Sequence, residues 1–400
     1  MRRFLALLLS LMTVLAALCS CGSNDPKTET PDKDQIIEPS DKEPNAEEND
    51  VEDTGKKIDG EIIAASVFSE GLAFVEISGE EGKTYCIDKK GNVVFELNID
   101  LSTNSDIFSV FNNGLAYVNE GFCDKTGKVT TPADVGATGF YYTATLSAGY
   151  IIAEVVTSDY SSTSKKLGVL NTEFEWTVEP SEEIYKSLAD ENGYLGLYNV
   201  LNTSDFTVGD IYYNVEVKKG LNLKTGEVIN ERSEIGAPES SLWIAGSNSF
   251  QYTGYYISDD RSDLSAATLA VDLTKNGVVC SASSFVDGRA AIVYHNADAN
   301  KYYVTMIDEA GEHLFEPVET KYSFVRTDGE YILVTDESLG SGDRGEVFNS
   351  KGEKTGEIDV SLDSNYSYNF DLCDGVILVS AGRNSTAKVY YLDAECKDLF

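Results

Sequence analysis

The chain has 400 residues, a formal net charge of -36, 23 Tyr and only 2 His. So acidic a balance argues against nucleic acid as a partner, because that polyanion is gripped by Lys and Arg through counterion release. It also argues against a chain lying on an anionic membrane surface, and it leaves a solvated, self-repelling exterior around ample material for a large core.

The first segment, 1–20, reads as a targeting signal. Arg2 and Arg3 give a positive start, and Phe4 to Leu18 is an apolar core of signal length that is short for a membrane span. Leu18-Cys19-Ser20-Cys21-Gly22 follows. This resembles the lipobox of bacterial lipoproteins: an aliphatic residue at -3, a small residue at -1, then Cys. Cys21 fits better than Cys19, because Leu18 is too large for the place before Cys19. The resemblance implies lipidation of the Cys21 thiol, cleavage before it, and an extracytoplasmic location anchored to the bacterial cell membrane. An ordinary cleaved signal with a stray Cys is the alternative.

Residues 21–59 form an acidic linker holding Pro26, Pro31, Pro39 and Pro44, half of the 8 prolines in the chain. So few apolar residues cannot offset the ordering entropy, so disorder is expected, with the folded part held off the membrane.

From residue 60 the chain repeats. The clearest unit opens F-S-E-G-L-A-F-V at Phe68 and closes Y-C-I-D-K-K-G-N-V-V-F at Phe95. The run Leu72 to Val75 does not alternate apolar and polar, so both faces should be covered. Asp88-Lys89-Lys90-Gly91 supplies a local acceptor and a positive φ, the needs of a hairpin turn. The second unit runs F-N-N-G-L-A-Y-V from Phe111 and F-C-D-K-T-G-K-V from Phe122, and the sixth opens F-V-D-G-R-A-A-I at Phe285. Weaker copies start at Gly149, Gly193, Gly254, Gly329 and Gly375, giving a period of about 43 residues, as a β-propeller blade requires. No stretch reads as an amphipathic helix. The paired signature resembles the WG-repeat (KWG) family. It survives as Lys166-Leu167-Gly168-Val169-Leu170-Asn171 and as Lys83-Thr84-Tyr85-Cys86-Ile87-Asp88, although no unit keeps the Trp-Gly pair. The resemblance implies a β-repeat fold and transfers no active site.

The terminal segment Asp393 to Phe400 aligns with Asp88 to Phe95. The last unit then stops one strand early, and Glu61–Phe68 has the character of the missing strand. We therefore expect a closed ring in which Glu61–Phe68 completes the last blade, removing exposed edges.

Chemical motifs are sparse. Beyond Cys21 the Cys are Cys86, Cys123, Cys280, Cys373 and Cys396, an odd number with neither disulfide-framework nor zinc spacing. Cys86 and Cys123 read as small core residues, and a Cys373–Cys396 bridge stays open beside free thiols. Ser162 to Lys165 with the K-T-G triplets at Lys125, Lys224 and Lys354 mimics a serine β-lactamase set, but turn geometry explains the triplets at Lys125 and Lys224. Asn296, Asp298 and Asn300 alternate like calcium ligands but lack the central Gly and distal Glu. Asp259 to Asp263 is a weaker copy. Neither His295 nor His313 sits in a recognisable triad or metal motif. Tyr pairs at 141–142, 212–213, 255–256, 302–303 and 390–391, with Tyr366 and Tyr368, offer wedges between blades or a binding surface.

The expected fold is an all-β propeller of about eight four-stranded blades over 60–400, with seven blades or an open β-repeat stack as alternatives. The expected role is a lipid-anchored, non-catalytic binding or scaffolding module for a protein or glycan. The alternative is an extracytoplasmic carbohydrate-active hydrolase or lyase with a carboxylate site at the propeller centre, and a purely structural protein is a third reading. No catalytic, cofactor or metal residue can be named.

Overall fold

The computed structural model describes residues 56–400 apart from internal stretches, the longest of which are 100–109, 231–242, 258–267 and most of 190–205. Cys21 and nearly all of the linker lie outside the described residues. Among the described residues backbone pairing already involves Lys56, a little before the expected boundary: Val93 donates to the Lys56 carbonyl and Ile58 donates to that of Gly91, both at 2.8 Å.

The chain is a β-propeller built from antiparallel meanders. The first runs Ile62–Ala65, Leu72–Ile77, Thr84–Asp88 and Val93–Leu97, paired in that order. Equivalent units follow at 115–130, 139–181, 206–229, 243–272, 278–320, 324–359 and 367–393. The fifth and sixth share a sheet through the Tyr252–Val279 pair. In the eighth, a bridge from Leu392 to Asp398 begins a fourth strand on the outer edge.

Seven units share one hairpin cap, and in the fifth the same cap opens a short 3-10 helix, Leu273–Asn276. An Asp or Asn ends the third strand and its carboxylate or amide oxygen accepts backbone N–H bonds from the turn. For Asp88 these come from Lys90 and Asn92 at 2.8 and 2.9 Å. Asp124, Asn171, Asn222, Asp272, Asp308, Asn349 and Asp393 do the same. A short polar side chain that can mimic a backbone turn is what this position selects.

The phase of the repeat differs from expectation by one strand. Ser69 and Leu72 exchange both backbone hydrogen bonds, at 2.9 and 3.1 Å, around Glu70 and Gly71. Both central residues have positive φ (53° and 83°), the signature of a tight primed hairpin. Such a turn pairs the strands on either side of it, so Ile62–Ala65 belongs with Leu72–Ile77 and completes the first sheet, not the last. The turns at Asn113-Gly114, Asp287-Gly288 and Asp374-Gly375 have the same pair of positive φ angles.

The ring nevertheless closes between the eighth unit and the first, by packing. Cys373, Val376, Leu378 and Tyr391 share a buried cluster with Ile62, Ala65, Val67 and Phe68. The Tyr391 hydroxyl donates to the Ser66 carbonyl at 2.6 Å, and its ring meets Phe68 edge-on at 4.9 Å between centroids. The outer edge uses a contact repeated round the ring: an apolar side chain of one unit seats over the hairpin glycine of the next. Phe95 covers Gly127, Val178 covers Gly226, Phe315 covers Gly352, and Phe400 covers Gly91. Between the seventh and eighth units the pattern inverts, with Gly356 at the Phe position and Cys396, at φ 62°, at the Gly position. Close-packed interfaces of this kind tolerate exchange of large and small partners better than loss of either.

Leu72–Ile77 is buried at all six positions, as its unbroken apolar run requires. The short helix α1 (Glu182–Leu188) is an element the sequence reading does not contain. Ser181 caps it by accepting from Glu183 and Ile184, and Ile184, Tyr185 and Leu188 are buried against the third and fourth units.

Candidate functional site

The first strands of the units meet at the centre of the ring. Phe324–Thr327 contacts both Val278–Ala282 and Ser367–Cys373, the first strands before and after it. The Ser281 hydroxyl accepts from the Val325 N–H at 3.1 Å. Alternation on these strands separates two faces. Val325 packs toward the sixth unit, and Tyr368, Phe370 and Leu372 pack toward the seventh. The residues between them are the less buried ones: Val278 and Cys280, then Phe324 and Arg326, then Asn369 and Asp371.

Phe324, Arg326, Asn369 and Asp371 are part-exposed members of this face. Phe324 is 38% exposed. The Arg326 guanidinium lies over its ring, 4.9 Å from the centroid, a contact that stabilises a cation on an aromatic face. Arg326 Nε is 3.9 Å from Asp371 Oδ1, with both side chains part-exposed. Asn369 Oδ1 is buried without a hydrogen-bond partner, an arrangement that costs free energy. Nearby, burial pushes the Cys280 thiol up, with a backbone bond to His295 pulling the other way. A thiol so held is a poor nucleophile.

One rim of the ring is already used for assembly. Asp374 Oδ2 accepts from Gly71 N at 2.7 Å, and its carboxylate pairs with Lys89 at 2.9 Å. Glu70 accepts from Gly114 N and pairs with Lys125, both at 3.0 Å. Asp328 accepts from Gly375 N at 2.7 Å, and Asn113 donates to the Leu146 carbonyl at 2.8 Å. These turn residues therefore tie the first unit to the second, the second to the third, the seventh to the eighth and the eighth to the first. Their clustering in sequence with Gly looks functional, and their geometry is structural.

The other motifs fall as follows. Asn296 to Asn300 is a hairpin turn in which Asn296 Oδ1 accepts from Ala299 N at 3.0 Å. No group of three or more His, Cys, Asp or Glu side chains among the described residues could hold a metal ion. The Asp259 to Asp263 loop lies outside the described residues. The K-T-G triplets at Lys125 and Lys224 are hairpin turns and that at Lys354 lies on the strand Lys354–Asp359. Lys165 is on the strand Thr163–Asn171, and Ser162 lies outside the described residues. His313 meets the Tyr294 hydroxyl at 3.2 Å, and the His295 ring lies tilted against Tyr302, 5.0 Å between centroids. Cys86 and Cys123 are fully buried, and burial pushes the Cys123 thiol up to about 12. Cys373 and Cys396 are free thiols. The expected alternative of a bridge is corrected: Cys373 faces the first unit and Cys396 the seventh, on opposite faces of one sheet. Tyr212, Tyr213, Tyr368 and Tyr391 are buried wedges, whereas Tyr302 and Tyr303 are half-buried.

Comparison with known proteins gives a likeness of fold alone. No protein-family model matches the chain, and no curated protein is similar to it. Among solved structures, the β-propeller domain of the Trilobed protease from Pyrococcus furiosus is 10% identical, with 84% of each chain covered and a TM-score of 0.28. An uncharacterized protein from Listeria monocytogenes is 10% identical over 86% of this chain and 96% of its own, with a TM-score of 0.36. Sqt1 from Chaetomium thermophilum is 9% identical over 84% and 82%, with a TM-score of 0.27.

Proposed function

We propose that the protein is a non-catalytic binding or scaffolding module of the bacterial cell envelope, anchored through lipid on Cys21 and taking a protein or glycan ligand. The observation that carries this reading is the central face of the sixth to eighth units. There an exposed aromatic ring, a guanidinium over its face and a carboxylate beside it sit together on rigid strands. Groups of that kind recognise a ligand, and a rigid scaffold spares the ordering cost of binding. The lipobox around Cys21 and the acidic linker support the tether.

Two experiments test it. Cys21→Ala should abolish fatty-acid labelling and move the protein out of the membrane fraction; an unchanged distribution overturns the anchor. The mature chain, in detergent micelles, should capture a saturable, stoichiometric protein or glycan from a native envelope extract. A glycan recovered shortened overturns the non-catalytic reading in favour of a carbohydrate-active enzyme, and no partner at all favours a purely structural role.

A further inference from the structure

We infer that the joint between the sixth and seventh units carries a docking surface for a basic segment of a partner protein, with Tyr302, Tyr322 and Asp336 seating a lysine or arginine side chain. This rests on the binding reading above and names the chemistry of the partner.

The placement comes first. Residues paired across antiparallel strands share a face. Val278 pairs with His295, His295 with Tyr302, and Tyr302 with Thr320, so the four form one row across the sixth unit. Thr320 donates to Glu346 of the seventh unit at 2.7 Å, which turns the row toward that unit. Glu346 pairs with Val334. Asp336 stands two residues beyond Val334, and its N–H still bonds the Arg344 carbonyl at 3.1 Å, so it shares the face that looks back at the sixth unit. Tyr322 lies between the two: its N–H donates to Thr320 Oγ1 at 3.4 Å, and it packs on the same buried cluster as Tyr302.

The exposure comes second. Val278 is 41% exposed, and His295, Tyr302 and Tyr322 are half-buried. Rings packed on one side and open on the other are already ordered, so little freedom is lost on binding. A tyrosine face attracts a cation, and the chain itself uses that contact elsewhere. Lys56 lies over the Tyr85 ring and Lys165 over that of Tyr185, at 5.2 and 5.4 Å. Among the described residues no cation of the chain lies over Tyr302 or Tyr322.

The charge comes third. Around the seventh-unit side of the joint, Asp336, Asp343, Glu346, Glu357 and Asp359 outnumber Lys321, Lys354 and Arg344. The lysines are engaged by Glu346 and Glu357. Asp336 is exposed, with Oδ1 accepting the Asp343 and Arg344 N–H groups at 3.0 Å. Burial pushes the Asp343 carboxyl up, its hydrogen bond to Asp336 and that group's charge add to this, and Arg344 pulls the other way. This corner therefore holds negative charge in excess, next to the aromatic rings. The net charge of -36 steers a basic partner toward it from a distance.

The test titrates the mature chain, in dodecyl maltoside micelles at about physiological ionic strength, with the peptide Ac-Arg-Ala-Arg-Ala-Arg-amide, followed by calorimetry. The peptide should bind saturably, and its citrulline counterpart, which keeps the shape and loses the charge, should not. Tyr302→Leu, Tyr322→Leu and Asp336→Asn should each weaken binding about fivefold or more. Glu173→Gln, which removes one charge from an exposed turn of the third unit, should leave it unchanged. Melting curves that superimpose on wild type show that each variant is folded; Asp336→Asn keeps the oxygen that accepts the two backbone bonds. No saturable binding at about millimolar peptide overturns the inference, as does equal binding of the citrulline peptide. Binding indifferent to both tyrosine variants, or weakened as much by Glu173→Gln as by Asp336→Asn, reports only the general field of the chain and overturns it too. If the peptide fails while the envelope extract still yields a saturable partner, the binding module stands and this surface falls. If the extract yields none, both fall.

Discussion

The ring of Phe400 lies directly over Gly91. A Cβ on Gly91 would sit 2.7 Å from Phe400 Cγ, inside any real carbon contact, and Gly91 also has φ 74°. Gly136 has a similar φ of 73°, but a Cβ added there would meet nothing within 4 Å. The pair separates backbone strain from lost packing. Gly136→Ala should cost about 1 kcal/mol for conformation alone, and Gly91→Ala about 2–4 kcal/mol because the aromatic must also move. Urea unfolding of both variants checks the difference; equal losses would mean that Phe400 does not hold the seam.

Tyr391→Phe removes the 2.6 Å bond to the Ser66 carbonyl while leaving the ring against Phe68. Tyr391 is 3% exposed, so the orphaned carbonyl stays dry. A loss of about 1–3 kcal/mol is expected, read as a shift in urea midpoint without change in slope.

Acid should loosen the join between the sixth and seventh units. Glu346 is buried, which pushes its carboxyl up, but bonds from Lys354 at 2.8 Å, the Lys321 N–H at 2.9 Å and Thr320 at 2.7 Å outweigh that and hold it low. Exposed Glu357 is held at about 2 by Lys321 and Lys354. A carboxyl lowered on folding stabilises above its unfolded value and loses that contribution as pH falls through its folded value. Stability should therefore fall as pH drops below about 4.5 toward 2. Glu346→Gln should lose about 2 kcal/mol at pH 7, after allowing for the part-exposed lysines, and show a flatter acid limb in thermal melts across that range.

Thiol counting tests the placement of Cys373 and Cys396. The denatured mature protein should yield five titratable thiols without reductant, from Cys86, Cys123, Cys280, Cys373 and Cys396. A count of three that rises to five on reduction would show a bridge. In the native state, Cys86 and Cys123 should alkylate far more slowly than Cys280 or Cys396, because the former two are buried.

Much of the architecture is legible in the chain because each unit repeats its physical problem. The Asp or Asn of the hairpin cap and the glycine behind it must supply the same acceptor and the same positive φ in every copy, so they persist while the rest of the unit drifts. The alignment of Asp393–Phe400 on Asp88–Phe95 holds in space: Cys396 takes the left-handed position of Gly91, and Phe400 the seat of Phe95. The phase of the repeat is harder to read. Glu70-Gly71 resembles the start of a strand in sequence, yet it is a complete two-residue hairpin with both φ angles positive. Helix α1 escapes a periodicity argument although Ser181, Glu182 and Glu183 spell a capped start, because a seven-residue helix shows barely two turns. The central face is invisible in sequence. Phe324, Arg326, Asn369 and Asp371 come from two units, and nothing in an alternating edge strand says which face meets the next blade and which meets the centre. Trp176 packs across the sheet on Gly168, where an added Cβ would come within 2.6 Å of its ring.

The seam between Ser66 and Tyr391 joins residues 325 positions apart, whereas the Ser69 hydroxyl reaches the next unit's Phe111 carbonyl across only 42. That ratio is about three doublings of loop length, so closing the ring from an open chain costs roughly 2 kcal/mol more entropy than joining neighbours. Units can dock successively along the chain, each on the one before, and the seam forms once the others are in place. By the same logic it is the first joint to breathe. Amides of Ser66 to Phe74 and Val376 to Tyr391 should exchange with solvent through a shared opening cheaper than global unfolding. A propeller sealed by packing is in effect a ring with a latch, and the latch is where its slow motions are set.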